Sequence, residues 1–296
     1  NIGVLGDTAV EATETFTLAL SNAAGATLGD ATATATITND DTVAPDPDPG
    51  GQVGGVNSGN VGAELWGEAH FAPYVDMAGW PVPDLVGIAA ERGVSLLNLG
   101  FITATADGQA AWGGFSTLTP GSSDSQAKSI DASIAAFKDA GGDVMISLGG
   151  ANGTTLAQSA VQRGLGAEAL ATSYAAVADF YSLNRIDFDI EGAAAAEPQS
   201  IALRSEAIAL LQQARPDLEV WYTLPVLPTG LTLNGLDVVD SALTAGVALD
   251  GVNVMAMDYG ESAAPTSGPN AKTMGAYAID SAESTHAQLT SLFAEH

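Results

Sequence analysis

From residue 61 onward, short apolar runs alternate with alanine-rich stretches, and this alternation constrains the fold more than any other feature of the chain. Six runs have the length and composition of buried strands: 62–71, 94–102, 143–149, 185–191, 218–224 and 250–258. Five stretches have a helical pattern: 83–92, 126–140, 167–182, 198–214 and 281–294. Strands that alternate with helices are typical of parallel βαβ units. The sequence therefore predicts an α/β domain.

The closed form of such a domain is the (β/α)₈ TIM barrel, which has eight units and takes about 250 residues. The sequence accommodates six, so we expect a barrel that is truncated after about six βα units and lacks its last strands at the C-terminal end. A sheet without its last strands has open edges. We therefore expect this piece to be poorly stable and inactive by itself, although the parent protein should be active.

Residues 1–41 have a different pattern, rich in threonine and alanine. The runs 15–20 and 32–38 alternate polar and apolar side chains and predict a small antiparallel β module. Residues 42–60 are rich in proline and glycine, which is typical of a linker. The predicted organisation is therefore a module at 1–41, a linker at 42–60 and a barrel at 61–296.

The first module resembles the C-terminal half of a Calx-β repeat, on the residues 6–16 (GDTAVEATETF) and 37–41 (ITNDD). In Calx-β repeats, acidic residues at loop ends bind calcium, a hard cation that takes several oxygen ligands. The resemblance gives these candidate ligands: Asp7, Glu11, Glu14, Asp40 and Asp41. The alternative interpretation, favoured because half of the repeat is missing, is a solvated acidic rim.

The composition excludes several classes of partner. The 296 residues include no cysteine and carry a formal net charge of −27 at pH 7. Without cysteine, disulfides and zinc–thiolate sites are excluded. So acidic a surface repels nucleic acids and anionic lipids, and no run approaches the ~20 apolar residues of a membrane span. A neutral polysaccharide, a cation or no partner at all fits this charge better. We expect the protein to be secreted and to be a monomer.

Three acidic residues alternate along the fourth predicted strand. Asp187, Asp189 and Glu191 share one face of it, because successive side chains of a strand point to opposite sides. That face points into the barrel, and Glu191 comes at the C-terminal end, where the active sites of barrels lie. Buried carboxyl groups so close together repel one another, which raises at least one pKa, as a general acid requires. The alternative is a divalent metal site.

This strand resembles the fourth strand of glycoside hydrolase family 18, the chitinases, which carries Asp-Gly-x-Asp-x-Asp-x-Glu. The chain matches at the three acids and departs at Asn184 and Arg185. Residues 144–150 (VMISLGG) are similar to the family's Ser-x-Gly-Gly on the third strand. Residues 254–260 (VMAMDYG) are similar to its Met-x-x-Asp pattern on the sixth strand. The resemblance covers residues 61–296.

The resemblance implies hydrolysis of chitin, a β-1,4-linked N-acetylglucosamine polymer, without a cofactor and with the substrate's own acetamido group in place of a second carboxylate. Glu191 would be the acid, Asp189 would orient the acetamido group, and Asp187 would tune Asp189. Asp258 and Tyr259 would steady that group. Four further positions are candidates for the substrate site: Ser147, Gly149, Met255 and Met257. Core packing is the alternative for both methionines.

Aromatic side chains that follow the predicted strands are candidates for stacking on sugar rings, since such clefts are commonly lined by aromatic residues. The main candidates are Tyr74, Trp112 and Trp221. Further candidates are Phe71, Trp80 and Tyr222. Trp112 lies beside two glycines in a predicted loop, so we expect it to be exposed. His70 is interpreted as a structural histidine. Two other functions stay open: a non-catalytic carbohydrate-binding relative, which usually lacks the terminal glutamate, and a metal-dependent barrel hydrolase.

Overall fold

The computed structural model describes residues 14–19, 32–37, 65–67 and 70–296, and the chain divides into two compact units, residues 1–57 and 58–296. In the first unit, β1 (Glu14–Ala19) pairs with β2 (Thr32–Ile37) in antiparallel register, with Thr17 opposite Thr34. The antiparallel pair expected from the alternating threonines is therefore present. The Calx-β resemblance and the three domain boundaries stay predictions.

The candidate calcium ligands cannot be placed. Asp7, Glu11, Asp40 and Asp41 lie outside the described residues, and so does the side chain of Glu14, whose backbone begins β1. Calcium binding by this module stays a prediction.

The second unit alternates strands and helices, as the sequence predicts. Its elements, in chain order, are β3 (Tyr74–Asp76), α1 (Leu85–Arg92), β4 (Leu96–Ala104), β5 (Ala110–Trp112), α2 (Ser125–Asp139), β6 (Asp143–Gly149), α3 (Leu156–Gln162), α4 (Ala167–Phe180), β7 (Arg185–Asp189), a 3₁₀ helix (Gly192–Ala195), α5 (Pro198–Ala214), β8 (Glu219–Leu227), β9 (Gly230–Leu231), α6 (Leu233–Thr244), β10 (Leu249–Met255) and α7 (Met274–Glu295). None of the helices in the described ranges has the length and apolar character needed to span a bilayer.

Six strands of the described chain form one parallel sheet in the order β10-β8-β7-β6-β4-β3, with β5 added antiparallel to β4 and β9 to β8. This order, with helical crossovers, confirms the α/β architecture and is consistent with a (β/α)₈ barrel. The truncation after six units stays a prediction.

The prediction that residues 62–71 form the first strand is wrong. Residues 65 and 66 are helical, and the first strand of the parallel sheet is Tyr74–Asp76. The run 62–71 has no β-branched residue, whereas Tyr74 and Val75 favour strands. Helices α3 and α6 were not expected from the sequence, and α7 begins at Met274, well before the predicted start at residue 281.

The alternation of β7 positions the site. Ile186 and Phe188 point outward into the main hydrophobic core, where the ring of Phe188 packs edge-on against Tyr174 of α4 with 4.9 Å between ring centroids. The odd-numbered residues of the strand therefore point the other way, into the interior of the barrel. This is the orientation that the sequence predicts for the three acids.

Trp66 closes the amino end of the sheet. It is fully buried, and its Nε1 donates to Asp143 Oδ2 at 2.8 Å. The guanidinium of Arg185 lies 4.9 Å from the centre of its ring and also pairs with Glu219. Asp143, Arg185 and Glu219 are the first residues of β6, β7 and β8. This end therefore lies opposite to the carboxyl ends of the strands.

His70 and Trp221 belong to the same closure. The ring of His70 packs edge-on against Trp66 and Trp221, with centroid distances of 4.8 and 5.2 Å. This contact agrees with a structural role for His70, although its Nδ1 has no hydrogen-bond partner among the described residues. Trp221 is thus part of the packing at the amino end, and its expected place in the substrate site is wrong.

Candidate active site

A cleft of ≈ 990 Å³ lies at the carboxyl ends of the parallel strands. Every strand of the parallel sheet contributes to its lining: β3 through Tyr74 and Asp76, β4 through Phe101 and Thr103, β6 through Gly149, β7 through Asp189, β8 through Thr223 and Pro225, and β10 through Asn253 and Met255. Glu191, two residues beyond the end of β7, also lines it. The cleft is therefore where parallel barrels place their active sites.

Asp187 is fully buried below the cleft and is held by hydroxyl groups from three other strands. Ser147 Oγ and the Tyr74 hydroxyl donate to its Oδ2 at 2.6 and 3.0 Å, and Thr223 Oγ1 donates to its Oδ1 at 2.8 Å. Burial raises the pKa of Asp187 to about 6, and the side-chain hydrogen bonds, which include one from Asn98, limit the rise. Asp187 is thus fixed in place and is the more acidic of the two aspartates.

Asp189 lies two residues further along β7, closer to the cleft, and no hydroxyl group of the described residues donates to it. It is only 4% exposed, and its Oδ1 has no hydrogen-bond partner among the described residues. Burial raises the pKa of Asp189 to about 8, and the negative charges of Asp187 and Glu191 add to the rise. A buried acceptor without a donor is costly, so this oxygen is available to a polar group of a ligand.

Glu191 follows β7 in extended conformation, with φ −137° and ψ 171°, and is half-buried at the cleft. Partial burial raises the pKa of its carboxyl group. A carboxyl group with a raised pKa at an open cleft is suited to donate a proton to a bound ligand.

Gly149 permits the close approach of β6 and β7 beside these acids. Its φ is +124°, and a Cβ at this position would overlap the backbone carbonyl oxygen of Asp189. Residue 149 therefore has to be glycine for Asp189 to lie where it does. Ser147 and Gly149 lie beside the acids, as the sequence predicts.

The end of β10 forms another wall, lined by Met255, Met257, Asp258 and Tyr259. Met257 is 62% exposed, so the cleft rather than the core is its place. Asp258 has φ +51°, in the left-handed region that a non-glycine residue seldom adopts. Tyr259 is buried, and its hydroxyl is 3.0 Å from Ser281 Oγ of α7, within hydrogen-bond distance. The roles predicted for these residues stay predictions.

The aromatic candidates divide into one that lines the cleft and two that do not. Tyr74 lies in the cleft and binds Asp187 through its hydroxyl. The exposure expected for Trp112 is wrong: the side chain is buried, and its Nε1 donates to the Tyr181 hydroxyl at 2.9 Å. Trp221 packs at the opposite end of the sheet, as described above. Of the further candidates, Phe71 and Trp80 are exposed without lining the cleft, and Tyr222 is buried.

Two aromatic residues of the cleft were missed. Phe101 stacks on Tyr74, with ring centroids 5.9 Å apart and planes 24° apart. Phe115 is 56% exposed and follows Gly113 and Gly114 in the loop after β5. Gly113 and Gly114, on which the predicted exposure of Trp112 was based, do form a turn. That turn exposes Phe115, which follows the glycines, and not Trp112, which precedes them.

A metal site is not favoured. Within the described part of the chain, no group of three or more His, Asp or Glu side chains is arranged to hold a metal ion. Both oxygens of Asp187 already accept hydrogen bonds from hydroxyl groups, which leaves them poorly suited to act as metal ligands.

We expect Asp189→Asn to stabilise the protein at alkaline pH. The pKa of Asp189 is raised from 3.8 to about 8, so the folded state holds this proton more tightly than the unfolded state does. The contribution of Asp189 to stability is present below pH 3.8 and is lost as the pH rises through about 8. Asparagine cannot ionise, so the gain in melting temperature should be largest near pH 9 and smaller near pH 5. The exposed Asp217→Asn is the control, and equal gains at both pH values would contradict the assignment.

The fold and the site define a class of protein: a barrel-type glycoside hydrolase with a carboxylic acid at the carboxyl end of its strands. Comparison with known proteins agrees with this class. The sequence profile of glycosyl hydrolases family 18 matches residues 81–293. The chain belongs to this family.

Two curated relatives are similar in sequence. The chain is 36% identical over 238 residues to the probable bifunctional chitinase/lysozyme of Escherichia coli (strain K12) and 37% identical over 244 residues to endochitinase 11 of Metarhizium anisopliae. Each match covers 77% of this chain, but only 25% and 42% of the two relatives. The chain thus spans less than half the length of either.

Solved structures of a chitinase from Pyrococcus furiosus are similar in fold. Its hyperthermophilic catalytic domain superposes with a TM-score of 0.62 and 29% identity, over 76% of this chain and 66% of that one. Catalytic-site mutants of active domain 2, complexed with chito-oligosaccharides, match with the same TM-score, identity and coverage.

Proposed function

We propose that this protein hydrolyses chitin, the β-1,4-linked polymer of N-acetylglucosamine, with retention of configuration and with the acetamido group of the substrate as the nucleophile. The observation that carries the proposal is the unpartnered Oδ1 of Asp189, buried between Asp187 and the acid Glu191 in the cleft. A substrate that brings an amide N–H to this oxygen satisfies it. The chitinase names of both curated relatives support this substrate class.

In the first step, Glu191 donates its proton to the glycosidic oxygen as the bond from that oxygen to the anomeric carbon breaks. The carbonyl oxygen of the acetamido group attacks the same carbon, forming a cyclic oxazolinium ion, and the rest of the polymer leaves as an alcohol. No second carboxylate takes part as a nucleophile, as in the substrate-assisted route that is an exception among glycosidases.

Asp189 acts on the acetamido group during this step. Its Oδ1 accepts the amide N–H, which holds the carbonyl oxygen toward the anomeric carbon. Positive charge develops on the amide as the ring closes, and the hydrogen bond from the amide N–H to Asp189 Oδ1 stabilises that charge. Asp187 cannot reach the substrate in this way, since the hydroxyl groups of Ser147, Tyr74 and Thr223 occupy both of its oxygens.

In the second step, the ionised Glu191 accepts a proton from water, and the water oxygen attacks the anomeric carbon. The bond to the acetamido oxygen breaks, the acetamido group is restored, and Glu191 regains its proton. The two displacements take place from opposite faces of the anomeric carbon, so its configuration is retained. Glu191 is present and its pKa is raised, so the non-catalytic alternative is not favoured.

The substrate is a polymer that does not cross membranes, so we also propose that the protein acts outside the cell. The high acidic charge supports this, since it keeps a protein dispersed without attracting it to nucleic acids.

The acetamido group can be tested directly by comparing N-acetylated with fully deacetylated oligosaccharides of the same length. We expect the acetylated oligosaccharide to be cleaved at least about 10³-fold faster, because an intramolecular nucleophile replaces one from solution. The first product detected by NMR should be the β anomer. Equal rates on the two substrates, or an α anomer as first product, would contradict the proposal.

A further inference from the structure

The loop after β5, residues 113–121, forms one wall of the cleft, and no step of the reaction above uses it. Gly113 and Phe115 of this loop line the cleft. The Phe115 ring lies over Gly113, since a Cβ on that glycine would come within 2.8 Å of the ring. Where this aromatic face lies in the cleft therefore depends on the backbone of the loop.

A single carboxylate outside the cleft holds both ends of this loop. Asp131, on α2, accepts a hydrogen bond from the Tyr181 hydroxyl on its Oδ1 at 2.7 Å and one from the backbone N–H of Gly121 on its Oδ2 at 3.1 Å. The Tyr181 hydroxyl in turn accepts from Trp112 Nε1 at 2.9 Å. Trp112 directly precedes the loop and Gly121 ends it, so the two ends converge on one side chain.

The surroundings make this connection rigid. Trp112 and Tyr181 are both buried, and burial raises the pKa of Tyr181, so its hydroxyl stays protonated and donates. Lys138 Nζ donates to the backbone carbonyls of Tyr181 and Ser182 at 2.9 Å each, which fixes the tyrosine from behind. The Phe180 ring fills the space beside Gly121.

We propose that Asp131 is a positioning residue that, through Tyr181 and Gly121, holds loop 113–121 so that Phe115 presents its ring to a sugar unit in the cleft. Sugar rings have apolar faces, and a fixed aromatic ring binds them without losing side-chain freedom on binding. Phe115 is then a determinant of substrate affinity and Asp131 acts through it. The sugar part of this inference rests on the proposed function; the loop part does not.

The test is a double-mutant cycle with Asp131→Ala, Phe115→Ala and the combined variant, and with the exposed Asp139→Ala of the same helix as control. On a chito-oligosaccharide long enough to fill the cleft, we expect Phe115→Ala and Asp131→Ala each to raise KM about tenfold and to change kcat less than about twofold. The combined variant should be no worse than Phe115→Ala, because the two residues act through the same contact. Asp139→Ala should match the wild type.

Two results would overturn the inference: a KM for Asp131→Ala that equals the wild-type value even though the melting temperature falls, or an additive increase in the combined variant. Hydrogen exchange provides a measurement that does not depend on the reaction. Amide exchange in residues 113–121 should be faster in Asp131→Ala than in Asp139→Ala, and unchanged exchange also counts against the inference.

The two proposals fail separately. If the wild type cleaves no chito-oligosaccharide, the proposed function and the sugar contact fail together, and hydrogen exchange alone decides whether Asp131 holds the loop. If Asp131→Ala does not fold, Asp131→Asn is used in its place. Asparagine keeps the shape of the side chain and an oxygen that accepts from Tyr181, but its NH₂ group then faces the N–H of Gly121 and cannot accept from it. The KM of this variant should then also rise above the wild-type value, and an unchanged KM overturns the inference.

Discussion

Glu191→Gln lowers kcat on chito-oligosaccharides by about 10²–10⁴-fold, the usual contribution of a positioned general acid. Glutamine has nearly the same shape but has no acidic proton to give to the glycosidic oxygen and cannot accept one from water. Because the half-buried side chain keeps its volume, we expect oligosaccharide affinity and melting temperature to stay close to wild type. Steady-state kinetics with calorimetric titration of the oligosaccharide separates the two effects.

The substrate offers an internal control for this variant. In an aryl glycoside with an acidic phenol, the phenolate leaves with little need for protonation. Glu191→Gln should therefore reduce the rate of intermediate formation less with this substrate than with a sugar leaving group. Glu206→Gln, at an exposed position of α5, should retain wild-type kcat. If Glu191→Gln keeps more than about a tenth of the activity, another group is the acid.

Trp66→Ala lowers the free energy of unfolding by about 3–5 kcal/mol, the range measured when a large aromatic side chain is removed from a core. Trp66 is fully buried between Arg185 and His70, so alanine leaves a cavity at the amino end of the sheet. The variant also removes the donor to Asp143 and the aromatic face under the Arg185 guanidinium. Urea denaturation followed by circular dichroism measures the change.

Trp80→Ala is the matched control for this prediction, because Trp80 is 72% exposed and its loss should change stability by less than about 1 kcal/mol. The folded fraction of Trp66→Ala should keep its kcat, since the residue lies at the end of the sheet opposite to the cleft. Equal denaturation midpoints for the two variants would show that the segment around Trp66 does not close the sheet.

The alternation of β7 was predictable because it is local. A strand turns every second side chain to the same face, so the spacing of Asp187, Asp189 and Glu191 determines their common direction. The apolar residues between them determine which face is buried in the core. Ser147 and Gly149 were placed in the site by the resemblance of residues 144–150 to a family motif, and their spacing on β6 adds that they share a face.

The surroundings of these acids were not predictable, because they depend on the register between strands. Thr223 donates to Asp187 from 36 positions along the chain, and Tyr74 from 113. Nothing in the sequence near Asp187 indicates that hydroxyl groups meet it or that none meets Asp189. The difference in pKa between the two aspartates follows from these long-range contacts.

The burial of Trp112 was not predictable either, because it also depends on a residue far away in the sequence. Two adjacent glycines predicted an exposed loop, and the turn is indeed there, but Tyr181 lies 69 positions away and buries the indole. Local sequence indicated where the chain turns. It did not indicate which neighbour of the glycines, Trp112 or Phe115, faces the cleft.

The absence of a side chain at Gly149 restricts how the binding specificity of this protein can be engineered. Any larger residue there collides with the backbone of Asp189, so variants at this position would displace Asp189 instead of reshaping the cleft. Met257, by contrast, is 62% exposed on the β10 wall of the cleft, so its side chain can vary in size with less effect on the surrounding packing. Libraries aimed at new oligosaccharides should therefore be diversified at the β10 wall and should leave the β6 end unchanged.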